Sequence, residues 1–190
     1  GKVVILSAPS GSGKTTLARH LLSVEKLNFK FSVSATTRKK RDHEINGKDY
    51  FFFSPKEFKN SIENQDFIEY EKVYENMYYG TLKSEVNNLI VNHNIVFDVD
   101  VLGALSLKKY FKSLAISIFI KPPSIDVLEK RLIDRKKNDP IEIKERIKKA
   151  EIEMKTEDDF DTVIINEDLD VAKQELIDKV EKFLKWKLVY

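Results

Sequence analysis

Val3-Val4-Ile5-Leu6-Ser7-Ala8-Pro9-Ser10-Gly11-Ser12-Gly13-Lys14-Thr15-Thr16 is the stretch that decides the fold. Val3 to Leu6 is a short, wholly apolar run, the pattern of a strand covered on both faces. Lys14 to Leu22 then reads as a helix. Between the two, Gly11 and Gly13 let successive backbone N–H groups turn inward around a polyphosphate, at the positive end of that helix. Lys14 supplies a point charge for terminal phosphates, and the Thr15 hydroxyl can reach Mg²⁺. Strand, glycine-bearing loop and helix in this order are the context of a nucleotide phosphate loop, with Ala8 to Thr16 as its contacts. One position departs from the usual eight-residue pattern. Ala8 stands where glycine is normal, which matters only if φ there must be positive.

Outward from this loop, apolar runs alternate with amphipathic stretches, as βαβ units do. Ile95–Val99, Leu114–Ile120 and Thr162–Ile165 read as further buried strands of a parallel sheet. A C-terminal helix follows, with Leu169, Ala172, Leu176, Val180, Phe183 and Leu184 at three-to-four spacing. Asp98 and Asp100 end the Ile95–Val99 run. At period two they are expected to project from one face, beyond the carboxyl end of the sheet where ligands bind.

Two inserts differ from this core. Residues from about Phe31 to Tyr79 are rich in aromatic and turn residues, with strand-like runs at Tyr50–Phe53 and Phe67–Tyr74. Ser54-Pro55-Lys56-Glu57 places a capping Ser, Pro at the first helical position and Glu three residues after the cap. The second insert, from about Pro122 to Lys155, is charged and helical, broken at Asn138-Asp139-Pro140. Phe51-Phe52-Phe53 should pack at least two rings into a core, and Trp186 is expected to anchor the chain end.

Composition narrows the function classes. The 190 residues fit one domain, and 42% hydrophobic content can supply a core. With 33 Lys+Arg against 31 Asp+Glu, the net charge of +2 argues against a dedicated nucleic-acid binder. The absence of cysteine removes disulfides and thiol nucleophiles. His20, His43 and His93 share no metal-ligand spacing and are expected at the surface. No apolar run approaches the ~18 residues of a membrane span, and the opening lacks a signal-peptide pattern, so a soluble cytoplasmic protein is expected.

The residues from Ser34 onward discriminate among phosphate-loop proteins. Ser34-Ala35-Thr36-Thr37-Arg38-Lys39-Lys40-Arg41, Asn46-Gly47-Lys48-Asp49-Tyr50, Phe67-Ile68-Glu69, Tyr78-Tyr79-Gly80-Thr81 and Asp98-Val99-Asp100-Val101-Leu102-Gly103 occur in that order. In these motifs, and in the late Ile164–Leu169 stretch, the sequence resembles guanylate kinase over essentially the whole chain. The resemblance implies a P-loop NTPase-type three-layer α/β fold with a parallel core sheet, a mixed GMP-binding insert and a helical lid. It implies a single domain: core about 1–32, 82–121 and 156–190, insert about 33–81, lid about 122–155. The implied activity is ATP- and Mg²⁺-dependent phosphorylation of GMP, and of dGMP with it, in purine nucleotide metabolism. Ala8, Pro9, Ser10, Gly11, Ser12, Gly13, Lys14, Thr15 and Thr16 would hold ATP. Ser34, Arg38, Arg41, Tyr50, Glu69, Tyr79, Thr81, Asp98 and Asp100 would hold GMP. Lys14, Arg131, Arg135 and Arg146 would act on the transferring phosphoryl group.

Physical chemistry fits those implied roles. Guanidinium forks at Arg38 and Arg41 suit phosphate oxygens, and Tyr50 and Tyr79 offer hydroxyl donors. A carboxylate at Glu69 can accept two adjacent guanine N–H donors, whereas adenine offers a lone pair there. Two departures from the family pattern are Lys136-Lys137 in the lid, where Gly-Thr is usual, and Leu102, where Gln is common. Two rival readings remain at this level: a guanylate-kinase-like phosphopeptide-binding module without catalysis, and a nucleoside monophosphate kinase for another base. Partners are expected to be ATP and GMP, without nucleic acid or membrane, and the oligomeric state is open.

Overall fold

In the computed structural model, residues 1–134 and 140–186 are described. The central sheet has five strands in the order β2-β7-β1-β8-β9: β2 (Phe29–Phe31), β7 (Asn94–Val99), β1 (Val3–Ser7), β8 (Ala115–Lys121) and β9 (Thr162–Ile165). Every pairing in it is parallel, with Val3 opposite both Ile95 and Ala115. β1 is buried along its whole length, as its unbroken apolar run requires.

Two apolar layers sandwich this sheet. On one face Val4, Leu6, Ile118 and Ile164 pack with Leu17 and Leu21 of α1 (Lys14–Ser23) and with Leu176 and Val180 of α7 (Leu169–Lys185). On the other, Val3, Ile5, Ile95 and Phe97 pack with Val86 of α3 (Lys83–Ile90) and with Ala104 and Leu107 of α4 (Val101–Phe111). The alternation of β1 side chains between the two layers is the period-two geometry of a strand covered on both sides. Parallel pairing of β1 with β7 brings their carboxyl ends, and the loops that follow them, to one edge.

The first insert forms its own four-stranded sheet in the order β4-β3-β6-β5: β4 (Phe51–Phe52), β3 (Ala35–Thr36), β6 (Met77–Leu82) and β5 (Phe67–Tyr74). Its helix α2 (Pro55–Glu63) has the full capping box: Ser54 Oγ accepts from the Glu57 N–H at 3.2 Å, and Glu57 Oε2 accepts from the Ser54 N–H at 2.7 Å. Phe58 of that helix is fully buried, stacked on Phe67 at 4.4 Å and on Tyr78 at 5.3 Å between ring centroids. Phe51 and Phe53 join this small core. In the second insert, α5 (Ile125–Asp134) and α6 (Pro140–Met154) share a further apolar cluster centred on Leu128, Leu132 and Ala150. The expected break between them, with Lys136-Lys137, lies outside the described residues.

One expectation changes. Trp186 is 60% exposed, and the end of α7 is held by the Lys2 ammonium, which donates to the Phe183 and Trp186 carbonyls at 2.7 and 2.5 Å. A cation on the last carbonyls of a helix satisfies groups that have no intrahelical partner. Of the histidines, His43 is exposed, while His20 and His93 are half-buried and His93 Nδ1 lies 2.8 Å from Asn28 Oδ1.

Candidate active site

The loop between β1 and α1 encloses a cavity of about 350 Å³, walled by Ala8 to Thr16, Asp98, Asp100, Arg146, Lys149 and Glu153. Gly11 and Gly13 have φ of 97° and 91°, a backbone region that penalises any Cβ. Gly13 has a second reason to be glycine, because a Cβ there would collide with the Asn166 amide. That amide donates to the Ser12 carbonyl at 2.7 Å and fixes the loop from the end of β9. Ala8 is not among the residues with positive φ, and its methyl packs into the core beneath the loop. The departure from glycine there costs the loop nothing in backbone strain.

The Lys14 ammonium lies 2.8 Å from Asp98 Oδ1 and donates to the Val99 carbonyl at 2.5 Å. Thr15 Oγ1 donates to the other Asp98 oxygen at 2.9 Å. Asp98 therefore orients both the cation and the hydroxyl of the loop. Asp100 follows the end of β7 in extended backbone and is the N-cap of α4, its Oδ1 accepting from the Gly103 N–H at 2.9 Å. Both carboxylates line this cavity.

A second cavity of about 270 Å³ adjoins the first and shares Asp98, Asp100 and Lys149 with it. Ser34, Tyr50, Glu69, Glu71 and Tyr79 complete its polar wall. Glu69 Oε1 accepts from Thr81 Oγ1 at 2.6 Å, directly across the β5–β6 ladder. Burial pushes the Glu69 carboxyl above its ordinary value, against the Thr81 hydrogen bond, and the nearby Asp100 charge adds to the rise. Gly103 makes the turn fit: a Cβ there would stand 3.2 Å from Asp100 Oδ1 and 3.5 Å from Glu69 Oε2. Leu102, 64% exposed, leaves that contact to Gly103.

Arg38 is already paired. Its guanidinium forks onto Glu44 at 2.6 and 3.1 Å, and the Arg41 N–H donates to the same carboxylate at 2.7 Å. The Arg38 fork also lies 5.3 Å from the Tyr50 ring centroid and 5.7 Å from that of Phe52. Hydrogen bonds from Arg38 and the Arg41 backbone hold the Glu44 carboxyl down to about 2. Glu44 was not legible as a site residue in the sequence, since only the folded loop brings it back onto Arg38.

Arg131 and Arg146, the two arginines of the second insert's expected set that lie among the described residues, separate around the phosphate loop. Arg146 Nη1 donates to Ser10 Oγ at 3.3 Å, at the mouth of the first cavity. Arg131 Nη2 donates to the Asn166 carbonyl at 3.0 Å, in a neighbouring cleft with Gly11, Gly13 and Thr16. Arg135 lies outside the described residues. Lys14, Arg146 and Lys149 line the first cavity, and Arg131 lines the neighbouring cleft. Glu71, Lys149, Glu153 and Asn166 are site residues that the sequence reading passed over; Asn166 had the one usable signal, its place directly after the last core strand.

A five-stranded parallel sheet carrying a glycine loop and a lysine at the edge of its first strand makes this a P-loop nucleotide-binding fold. Comparison with known proteins narrows the class. The guanylate kinase family model matches residues 1–183. A guanylate kinase of Bacteroides fragilis is 50% identical over 184 residues, covering 96% of this chain and 90% of the relative. One from Salinibacter ruber is 43% identical, covering 96% of each chain. The crystal structure of guanylate kinase from Anaplasma phagocytophilum superposes with a TM-score of 0.74 at 30% identity, over 98% of this chain and 87% of that one. The chain belongs to the guanylate kinase family. Among the described residues no helix is long and apolar enough to cross a membrane.

Proposed function

We propose that this chain transfers the γ-phosphoryl group of ATP to the phosphate of GMP, and of dGMP, giving ADP and the nucleoside diphosphate, in the cytoplasm. The observation that carries the reading is the pair of adjoining cavities with Asp98, Asp100 and Lys149 in their common wall. Donor and acceptor phosphates bound in adjoining cavities would meet at their shared edge, which suits direct in-line transfer. A phosphate oxygen of GMP forms the new bond to the γ-phosphorus as the bond to the ADP oxygen breaks.

On this reading the backbone from Ser10 to Lys14 cradles the β- and γ-phosphates, and Lys14 moves from Asp98 to the phosphate charge. Arg38, oriented by Glu44, Tyr50 and Phe52, meets the GMP phosphate together with Arg41 and the Tyr50 and Tyr79 hydroxyls. Glu69 and Asp100 accept the guanine N–H donors, while Ser34 and Thr81 complete the base site. Glu69 must be ionised for this, so its burial makes GMP affinity fall as pH drops through its raised value. Residues about 33–81 form the acceptor part and about 122–155 the lid of one domain. Closure brings Arg131, Arg135 and Arg146 onto the phosphoryl group and excludes water.

Thr15 fits a Mg²⁺ role chemically. Its hydroxyl oxygen opens onto the phosphate cavity, and Mg²⁺ takes oxygen donors from one or two side chains plus substrate phosphates. Among the described residues no group of three His, Cys, Asp or Glu side chains stands ready as an all-protein cage. When bound, the ion would supply charge neutralisation at the phosphates. An ADP-release assay across GMP, dGMP, AMP, CMP and UMP tests the proposal. Activity confined to the guanine nucleotides is expected; silence with all five would return the fold to a phosphopeptide-binding role.

A further inference from the structure

Glu71 has no part in the chemistry above, yet it lines the acceptor cavity. It lies two residues after Glu69 on β5, so both carboxyls project from the same face. Asp100, whose Oδ1 accepts from the Gly103 N–H at 2.9 Å, lines the same cavity, and its carboxyl interacts with that of Glu71. Two carboxyls can share a hydrogen bond only if one of them keeps a proton.

Resting on the guanylate kinase reading, we infer that Glu71 is a positioning residue of the acceptor site: in its protonated form it fixes the Asp100 carboxylate for guanine, and Lys149 of α6 sets how readily that proton leaves. Among the described residues, several elements contribute titratable groups to the wall around Glu71. Its own strand contributes Glu69, β6 contributes Tyr79 directly opposite, the residue before β4 is Tyr50, and the end of β7 with the start of α4 contributes Asp98 and Asp100. The α6 helix contributes Lys149, whose ammonium also lies 3.6 Å from Glu153. The Asp100 hydrogen bond, then burial and the Asp100 charge, push the Glu71 carboxyl up to about 7, with Glu69 adding to the rise and Lys149 opposing it.

The sign follows directly. Below about pH 7 Glu71 donates to Asp100; above it the donor is gone and two carboxylates repel, so the base wall loosens. Loss of this donor to the Asp100 carboxylate is expected to cost about three- to tenfold in GMP binding. Glu71→Gln keeps a donor at every pH, whereas Glu71→Ala never has one.

Steady-state kinetics from about pH 6 to about pH 8.5 test the inference. Turnover of GMP by the unaltered protein first establishes the activity on which it rests; its absence would overturn that reading alone. The ratio of the unaltered protein's KM for GMP to that of Glu71→Gln at the same pH cancels the titration of GMP itself. It is expected near one at low pH and about three- to tenfold higher at high pH, with kcat nearly unchanged. Glu71→Ala should show a raised KM throughout. Lys149→Met removes the opposing cation and should move the rise in KM to higher pH. A ratio flat with pH, an alanine variant with the unaltered KM, or a Lys149→Met midpoint that stays or falls would each overturn the inference.

Discussion

The phosphate loop and the acceptor pocket sit side by side but are built from different materials. The loop is backbone: two glycines at positive φ, a helix N-terminus and an Asn166 tether, mounted on the most buried strand of the large sheet. The acceptor pocket is side chain on side chain, mounted on a small sheet with its own aromatic core. Its carboxylates are tuned in opposite directions. Glu44 is held down to about 2 by Arg38, while Glu71 is pushed up to about 7 by Asp100. A backbone cradle binds any polyphosphate; discrimination among bases needs charges that are placed and paired.

The largest expected effect lies on the backbone side. Lys14→Ala should lower kcat by about 10³-fold or more, because phosphoryl transfer depends on charge stabilisation more than on covalent help. A kcat within tenfold of the original would break the assignment of the loop. On the side-chain side, Glu44→Gln removes the carboxylate that aims Arg38 and should raise KM for GMP by about tenfold, with kcat for bound substrate largely retained. An unchanged KM would show that Arg38 needs no such partner.

Thermal melts across pH sharpen the contrast between the two glutamates. Glu44 lies below its ordinary value of 4.5, so its contribution to stability is present above that pH and is lost as pH falls towards about 2. Glu71 lies above 4.5, so its contribution is present below that pH and is lost as pH rises through about 7. Glu44→Gln should therefore flatten the acid side of the Tm profile and Glu71→Gln the neutral side. Identical profiles for the two variants would remove the distinction. The smallest effect is expected from Ser54→Ala, about 1 kcal/mol in urea denaturation with kcat unaltered, since the capping box supports α2 and touches neither cavity.

Legibility in the sequence followed the same division. Strand β1, the glycine loop and the Ser54 capping box are local, and each was readable from adjacent residues alone. The order of acceptor motifs was readable too, and with it Glu69 and Thr81. What escaped were pairings across the fold. Glu44 meets Arg38 only after the loop turns back, and Asn166 reaches Ser12 across 154 residues. The capping role of Asp100 escaped too: the α4 N-terminus has free N–H groups, and this aspartate satisfies one of them. Leu102 and Ala8 departed from family pattern at positions where the fold asks nothing of a side chain or of positive φ.

The central claim is that a buried carboxylate in the acceptor pocket selects guanine. It is tested most directly by kcat/KM for GMP and for AMP, measured in the unaltered protein and in Glu69→Gln. Strong preference for GMP is expected in the former and a loss of that preference by about 10²-fold in the latter, mostly through KM for GMP. A Glu69→Gln protein with the same GMP-to-AMP ratio as the original would contradict it.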